Sequence, residues 1–169
     1  TQVKFELDDG QQKDVVFTFG SGRTADEARE LIRRFSGIEA ARQELQKVWE
    51  YWKRTLGVVY VETPDASINF LVNGWLQYQA ISCRLMRRSG FYQSGGAFGF
   101  RDQLQDLMAL VHSKPKMVRD ELLRFAAHQF VEGDVQHWWH PPSGRGARSQ
   151  CSDDYLWLPF VACLYVENI

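Results

Sequence analysis

The sequence shows no excess of either charge: 20 Lys and Arg stand against 21 Asp and Glu, a formal net charge of -1. This balance removes the electrostatic ground for a nucleic-acid or anionic-membrane partner. No run of 18 or more apolar residues occurs, so no transmembrane helix is expected in this chain. The first residues, TQVKFELDDG, have neither a basic stretch nor an apolar one, so no secretory leader is expected in them. The missing initiator Met reads as a piece cut from something longer. Cysteine is scarce: Cys83, Cys151 and Cys163 are odd in number and irregularly spaced, which argues against a disulfide framework. Reduced thiols in the cytoplasm are the simpler expectation. Neither a G-x-G-x-x-G fingerprint, a G-x-S-x-G elbow nor a C-x-x-C pair is present, so dinucleotide binding, serine hydrolysis and a zinc knuckle lack their usual signals. No repeat of fixed period is visible.

What is present is apolar and aromatic mass. Of 169 residues, 44% are hydrophobic and 14% aromatic, with six Trp. A chain this long buries roughly 70% of its unfolded surface, so a core is possible. Val3, Phe5 and Leu7 alternate with polar residues, as do Val15, Phe17 and Phe19, around Asp8-Asp9-Gly10. The pattern predicts a β-hairpin over 3–19 that needs a further sheet to join. Thr24 and Glu27 form a capping-box pattern that starts a helix ending near Phe35. Ser36-Gly37 breaks it, and Ile38, Ala41, Leu45, Val48, Trp49, Trp52 and Leu56 mark a second helix. A third is expected from Ser67 to Arg88, with Gly74 in its interior marking a close approach. Helices are also expected over 101–112, from Pro115 to about Phe130, and from Asp153 to Glu167. Between them lie a glycine- and aromatic-rich segment, 89–100, and a long polar loop, 134–152.

The two loops carry more Arg, Asp, His, Gln and Trp than a connection requires. Asp102 and Asp106 share a helix face and read as helix-start chemistry, or Arg101 beside Asp102 reads instead as a charged clamp for a polyol. Asp153-Asp154 reads either as a helix cap or as a crowded carboxyl pair whose raised pKa suits a general acid. His137 and His140, with Asp134 or Cys151, make a weak metal pattern, and no metal is expected. Polar residues interleaved with Trp138 and Trp139 fit a carbohydrate edge better, by ring stacking and hydroxyl hydrogen bonds. Gly144-Arg145-Gly146 with Arg148 reads as an anion site or as a solvated turn.

Three long motifs in order go further. They are Tyr92 to Asp106 (YQSGGAFGFRDQLQD), Glu132 to His140 (EGDVQHWWH) with Gly144-Arg145-Gly146, and Cys151 to Pro159 (CSDDYLWLP). Together they resemble the glycoside hydrolase family 94 phosphorylases, most closely the branch that handles β-1,2-glucans. The resemblance covers nearly the whole chain and implies a mainly α fold. Residues 1–20 are then the end of a β-sandwich, 21–66 a helical linker, and 67–169 the first part of an (α/α)6 catalytic barrel. It implies inverting phosphorolysis of a β-glucosidic bond to α-glucose 1-phosphate. The partners are a β-glucan oligosaccharide and inorganic phosphate as co-substrate, with no other cofactor. Inverting cleavage needs an acid and a base across the bond; phosphate arrives anionic, so one protein acid suffices. By resemblance that acid is Asp153. Arg101 and Asp102 hold sugar hydroxyls, and Gln136, His137 and Trp138 line the substrate loop. Cys151 stands where some relatives have Trp, and Asp154 completes the binding set.

Length is the departure from the family. The chain holds only part of a barrel and of its phosphate site, so by itself it is expected to be inactive or to self-associate through bare helix faces. The alternative is a truncated domain that binds glucan without cleaving it. The expected location is the cytoplasm, including the cytoplasmic part of an inner-membrane protein.

Overall fold

The structure is a computed structural model and describes residues 2–88, 96–141 and 143–169. Residues 89–95, which open the glycine- and aromatic-rich motif and include Tyr92 to Gly95, lie outside the described residues, as does Pro142. The chain divides into two compact units, Thr1–Trp52 and Lys53–Ile169.

In the first unit the expected hairpin does not form. Residues 2–20 carry no β-ladder, and a turn at Asp8–Gln11 is closed by the Gln11 amide on the Asp8 carbonyl at 3.0 Å. Val3, Phe5, Leu7, Val15, Phe17 and Phe19 all stand exposed. Alternation makes one face apolar, but a ribbon with nothing to cover that face gains too little burial to hold its register. Helix α1, Ala25–Phe35, begins as its sequence predicts. Thr24 Oγ1 accepts from the Glu27 amide at 3.2 Å, and the Glu27 carboxylate reaches back to the Arg23 amide at 2.7 Å, one residue further out than a standard capping box. Helix α2, Ile38–Leu56, follows, and Arg42 on it pairs with Asp14 at 2.6 Å.

The second unit starts at the end of α2. The run 58–61 is held by side-chain amides acting as strand partners. Asn73 bonds both the amide and the carbonyl of Val61 at 2.7 and 2.8 Å, and Asn69 does the same for Thr63 at 2.8 and 3.0 Å. The helix expected over 67–88 is therefore not continuous. Its parts are α3 (Ala66–Phe70), a π-helical turn (Leu71–Trp75), α4 (Leu76–Gln79) and a second π-helical stretch (Ala80–Met86), with a kink at Asn73–Gly74. Gly74 has φ +126°, and a Cβ there would stand 3.2 Å from Leu56 Cβ, which is the close approach its position implies.

Three antiparallel strands form a small sheet in the order β1 (Phe98–Gly99), β2 (Gln136–His140), β3 (Arg145–Arg148). The polar loop expected over 134–152 is thus largely a β-hairpin. A register shift between Gln136 and Trp138 hides its period of two. Helices α5 (Phe100–Met108), α6 (Pro115–Ala126) and α7 (Asp154–Asn168) pack on one another and against the sheet. The mainly α expectation holds.

The core lies where helices and sheet meet. It contains Phe100, Leu104, Leu107, Val118, Phe125, Val135, Trp139 and Val161, all at or near zero exposure. Trp139 lies between Phe98 (ring centroids 5.2 Å apart) and His128 (3.8 Å), while the guanidinium groups of Arg88 and Arg124 approach Phe98 at 4.7 and 5.1 Å. Helix α7 is apolar on all sides, and Leu156, Phe160 and Val166 remain exposed on it. Among the described residues no helix is long and apolar enough to cross a membrane.

Candidate active site

Three segments converge on one surface of the second unit: the first turn of α5, strand β2, and the turn that enters α7. The β1–α5 junction is rigid because the buried Gln103 side chain accepts the Gly99 amide at the helix start. That fixes Arg101 and Asp102 beside the sheet. The α7 start is fixed by the Asp154 amide on the Cys151 carbonyl at 3.2 Å and the Leu156 amide on the Asp153 carbonyl at 3.0 Å.

Arg101 links two carboxylates 51 positions apart in the chain. Its Nη1 donates to Asp153 Oδ2 at 3.1 Å, and its Nε lies 3.8 Å from Asp102 Oδ1. Trp157 Nε1 donates to the same Asp153 oxygen at 3.3 Å. The hydrogen bond from Arg101 and then that from Trp157 hold the Asp153 carboxyl below the usual aspartate range. The crowded, raised pKa expected for this residue is corrected: its neighbours favour the charged form. The same pairing raises the Arg101 pKa.

Asp154 has the opposite environment. It is fully buried, and its Oδ2 faces His137 Nδ1 at 2.6 Å and accepts the Ser149 hydroxyl. Ser149 Oγ also accepts the Cys151 amide at 3.0 Å. Adjacent in sequence, the two carboxylates are thus separated by burial, one paired to a guanidinium at the surface and one held by an imidazole and a hydroxyl inside.

The other expected site residues divide. Trp138 is 37% exposed and available for stacking, whereas Trp139 belongs to the core. Gln136 is turned away, its Oε1 to His128 Nδ1 at 2.8 Å and its Nε2 to the Gly144 carbonyl at 2.9 Å. Asp106 pairs with Arg84 at 2.9 Å, and burial, opposed by that pairing, raises its pKa. Arg148 is held by Glu132 at 2.7 Å and by Asp134, with its guanidinium over Phe130 at 4.2 Å, so this arginine is committed to internal carboxylates and not to an external anion. The His137–His140 pair does not form a ligand set. Instead His137 groups with Cys151 and Asp154, their ligand atoms within 4.8 Å of one another.

Sequence reasoning missed Ser149, Trp157 and Phe160. Leu156, Trp157 and Phe160 line a surface depression with Asp153 at its edge. The signal was available: Trp157 lies four residues after Asp153, one helical turn along the same face.

The Asp153 environment gives a direct expectation. In a carbon-detected carboxylate titration, Asp153 has a midpoint below that of an ordinary Asp, about 3.9. Arg101→Gln moves it upward. Because the folded value is depressed, the stabilising contribution is complete above the unfolded value and is lost as pH falls through the folded one. A midpoint unchanged by Arg101→Gln would show that the pairing does not hold in solution.

An arginine set between surface carboxylates, beside Trp157 and a strand bearing the half-exposed Trp138, offers the hydrogen-bonding and stacking groups that a sugar would use. Residues 51–167 match the catalytic domain of the glycosyl hydrolase 94 superfamily, and the chain belongs to that family. It is 45% identical over 158 residues to the cyclic β-(1,2)-glucan synthase NdvB of Rhizobium meliloti, covering 92% of this chain and 6% of that protein. It is 26% identical over 192 residues to N,N'-diacetylchitobiose phosphorylase of Vibrio proteolyticus, covering 96% of this chain and 24% of that protein. Solabiose phosphorylase of Paenibacillus borealis is 24% identical over 137 residues, covering 81% and 17%. The chain therefore spans well under a third of the length of these relatives.

Proposed function

We propose that this chain is part of an enzyme that cleaves β-glucosidic bonds, with β-1,2-glucan as substrate, by inverting phosphorolysis to α-glucose 1-phosphate. The observation that supports this most is the Arg101 guanidinium between Asp102 and Asp153, at the edge of the depression lined by Leu156, Trp157 and Phe160. Arginine donates to sugar hydroxyls and Asp102 accepts from them, while the indoles supply stacking faces. The name of the 45% identical relative favours a β-1,2-linked glucan. Inorganic phosphate attacks the anomeric carbon from the face opposite the leaving oxygen, and that oxygen takes a proton as the bond breaks. In this reading residues 67–169 form part of an (α/α)6 barrel and the remaining helices come from elsewhere in a cytoplasmic parent protein, or the cytoplasmic part of an inner-membrane one.

Asp153 is the proposed acid. At rest it is an anion paired with Arg101, so it takes up a proton only when a bound sugar draws Arg101 to its hydroxyls and removes water from the carboxyl. The depressed pKa favours a second reading: Asp153 keeps Arg101 aimed at the sugar, and the proton comes from a residue outside this chain.

The test is phosphorolysis by the longer polypeptide. With β-1,2-gluco-oligosaccharides and phosphate it is expected to release glucose 1-phosphate, and the 169-residue chain alone is expected to release none. Glucan binding without any release by the longer protein would replace the proposal with a binding role.

A further inference from the structure

We propose that His137, Cys151 and Asp154 form a binding site for a borderline-soft divalent cation of the zinc type. The proposal does not depend on the phosphorolysis reading. The ligands come from two segments, β2 and the turn into α7, and their donor atoms already lie within 4.8 Å of one another. Imidazole, thiolate and carboxylate together are a set that zinc accepts. The thiolate discriminates against magnesium and calcium, which take oxygen ligands. Three protein ligands leave a fourth position open to solvent.

The geometry needs little rearrangement. His137 Nδ1 and Asp154 Oδ2 stand in hydrogen-bond contact at 2.6 Å. On a tetrahedral zinc with bonds of about 2.0–2.2 Å the same two atoms stand roughly 3.4 Å apart. A cation therefore takes the place of this hydrogen bond with an opening of under about 1 Å, and the exposed Cys151, its Sγ within 4.8 Å of the other two ligand atoms, supplies the third ligand.

A separate observation points the same way. Asp154 is fully buried, yet its Oδ1 has no hydrogen-bond partner among the described residues. A buried carboxylate with an unused acceptor is costly unless a positive charge compensates it. Arg101 feels this charge, but its guanidinium is engaged with Asp153 and Asp102. His137 offers at most one proton, whereas a divalent cation offers twice the charge. Ser149 already supplies the outer support such sites use, donating to Asp154 and fixing the Cys151 backbone from one hydroxyl.

The experiment titrates the reduced 169-residue chain with cobalt(II), the spectroscopic stand-in for zinc. One equivalent is expected to bind with a thiolate-to-cobalt charge-transfer band and the visible bands of a tetrahedral site, and zinc is expected to displace it. Cys151→Ser abolishes the charge-transfer band, and His137→Ala weakens binding by about tenfold or more. Cys83→Ser and Cys163→Ser leave the band in place. Absence of the band in the unmodified chain, or its survival in Cys151→Ser, overturns the proposal. Cys151 is exposed, so its serine variant keeps the fold, and circular dichroism checks this directly.

Discussion

Replacing Phe125 by Ala is expected to cost about 3–5 kcal/mol in urea denaturation of the second unit. Phe125 is fully buried, and its ring meets Phe100 at 5.5 Å, Phe98 at 6.0 Å and Trp139 at 5.2 Å, each edge to face. The loss therefore includes the transfer of the ring, the cavity it leaves, and three aromatic contacts worth about 0.5–1.5 kcal/mol each beyond their area. The surroundings resist collapse: Trp139 is held on its other faces by Phe98 and His128, and Phe98 lies beneath two guanidinium groups. Leu123 on the same helix is the control, since at 56% exposure its truncation removes little buried area. A loss below 1 kcal/mol at Phe125 would mean that helix α6 and the sheet do not share one core. The consequence reaches the site, because the same ring supports the β1–α5 junction that aims Arg101.

Helix starts were readable because they depend on neighbours in sequence. Thr24, Pro115 and Asp153–Asp154 all stand where their helices begin. The close approach at Gly74 was readable for the same reason, but the kink beside it was not, since it depends on Asn73 turning to serve the Val61 backbone twelve residues away. Residues 3–19 and 136–148 failed in opposite directions. The first has clean alternation and no partner strand among the described residues, so the pattern is real and the ladder is not. The second has a partner, and its register shift breaks the alternation that would have revealed it. At the site, residue types singled out Arg101, Asp102 and Asp153, which the fold brings together, yet their electrostatics were out of reach. Crowding by Asp154 argued for a raised Asp153 pKa, whereas the hydrogen bonds from Arg101, 52 positions away in the chain, and from Trp157 lower it.

That inversion sets up the strongest kinetic expectation. In the longer enzyme, Asp153→Asn is expected to lower kcat by about 10²–10⁴ for an oligoglucan substrate if Asp153 is the acid. Asparagine keeps one acceptor oxygen for Arg101 and Trp157 but removes the negative charge along with the transferable proton, so the grip on Arg101 is weakened as well. An aspartate at its ordinary pKa is protonated at roughly one part in 10³ at neutral pH, and Asp153 lies lower still at rest. The acid role thus requires substrate binding to reverse the local field, and the leaving group reports whether it does. An aryl β-glucoside with an acidic phenol departs without protonation, so for an acid the variant's loss shrinks toward unity on that substrate. For a residue that only positions Arg101, the loss is the same on both substrates, because Arg101 grips the sugar common to them. Arg101→Lys separates the cases further: it keeps the charge but loses the planar fork, so it weakens sugar binding on either substrate. An equal loss on oligoglucan and aryl glucoside therefore assigns the proton to a residue beyond this chain, and an unequal one assigns it to Asp153.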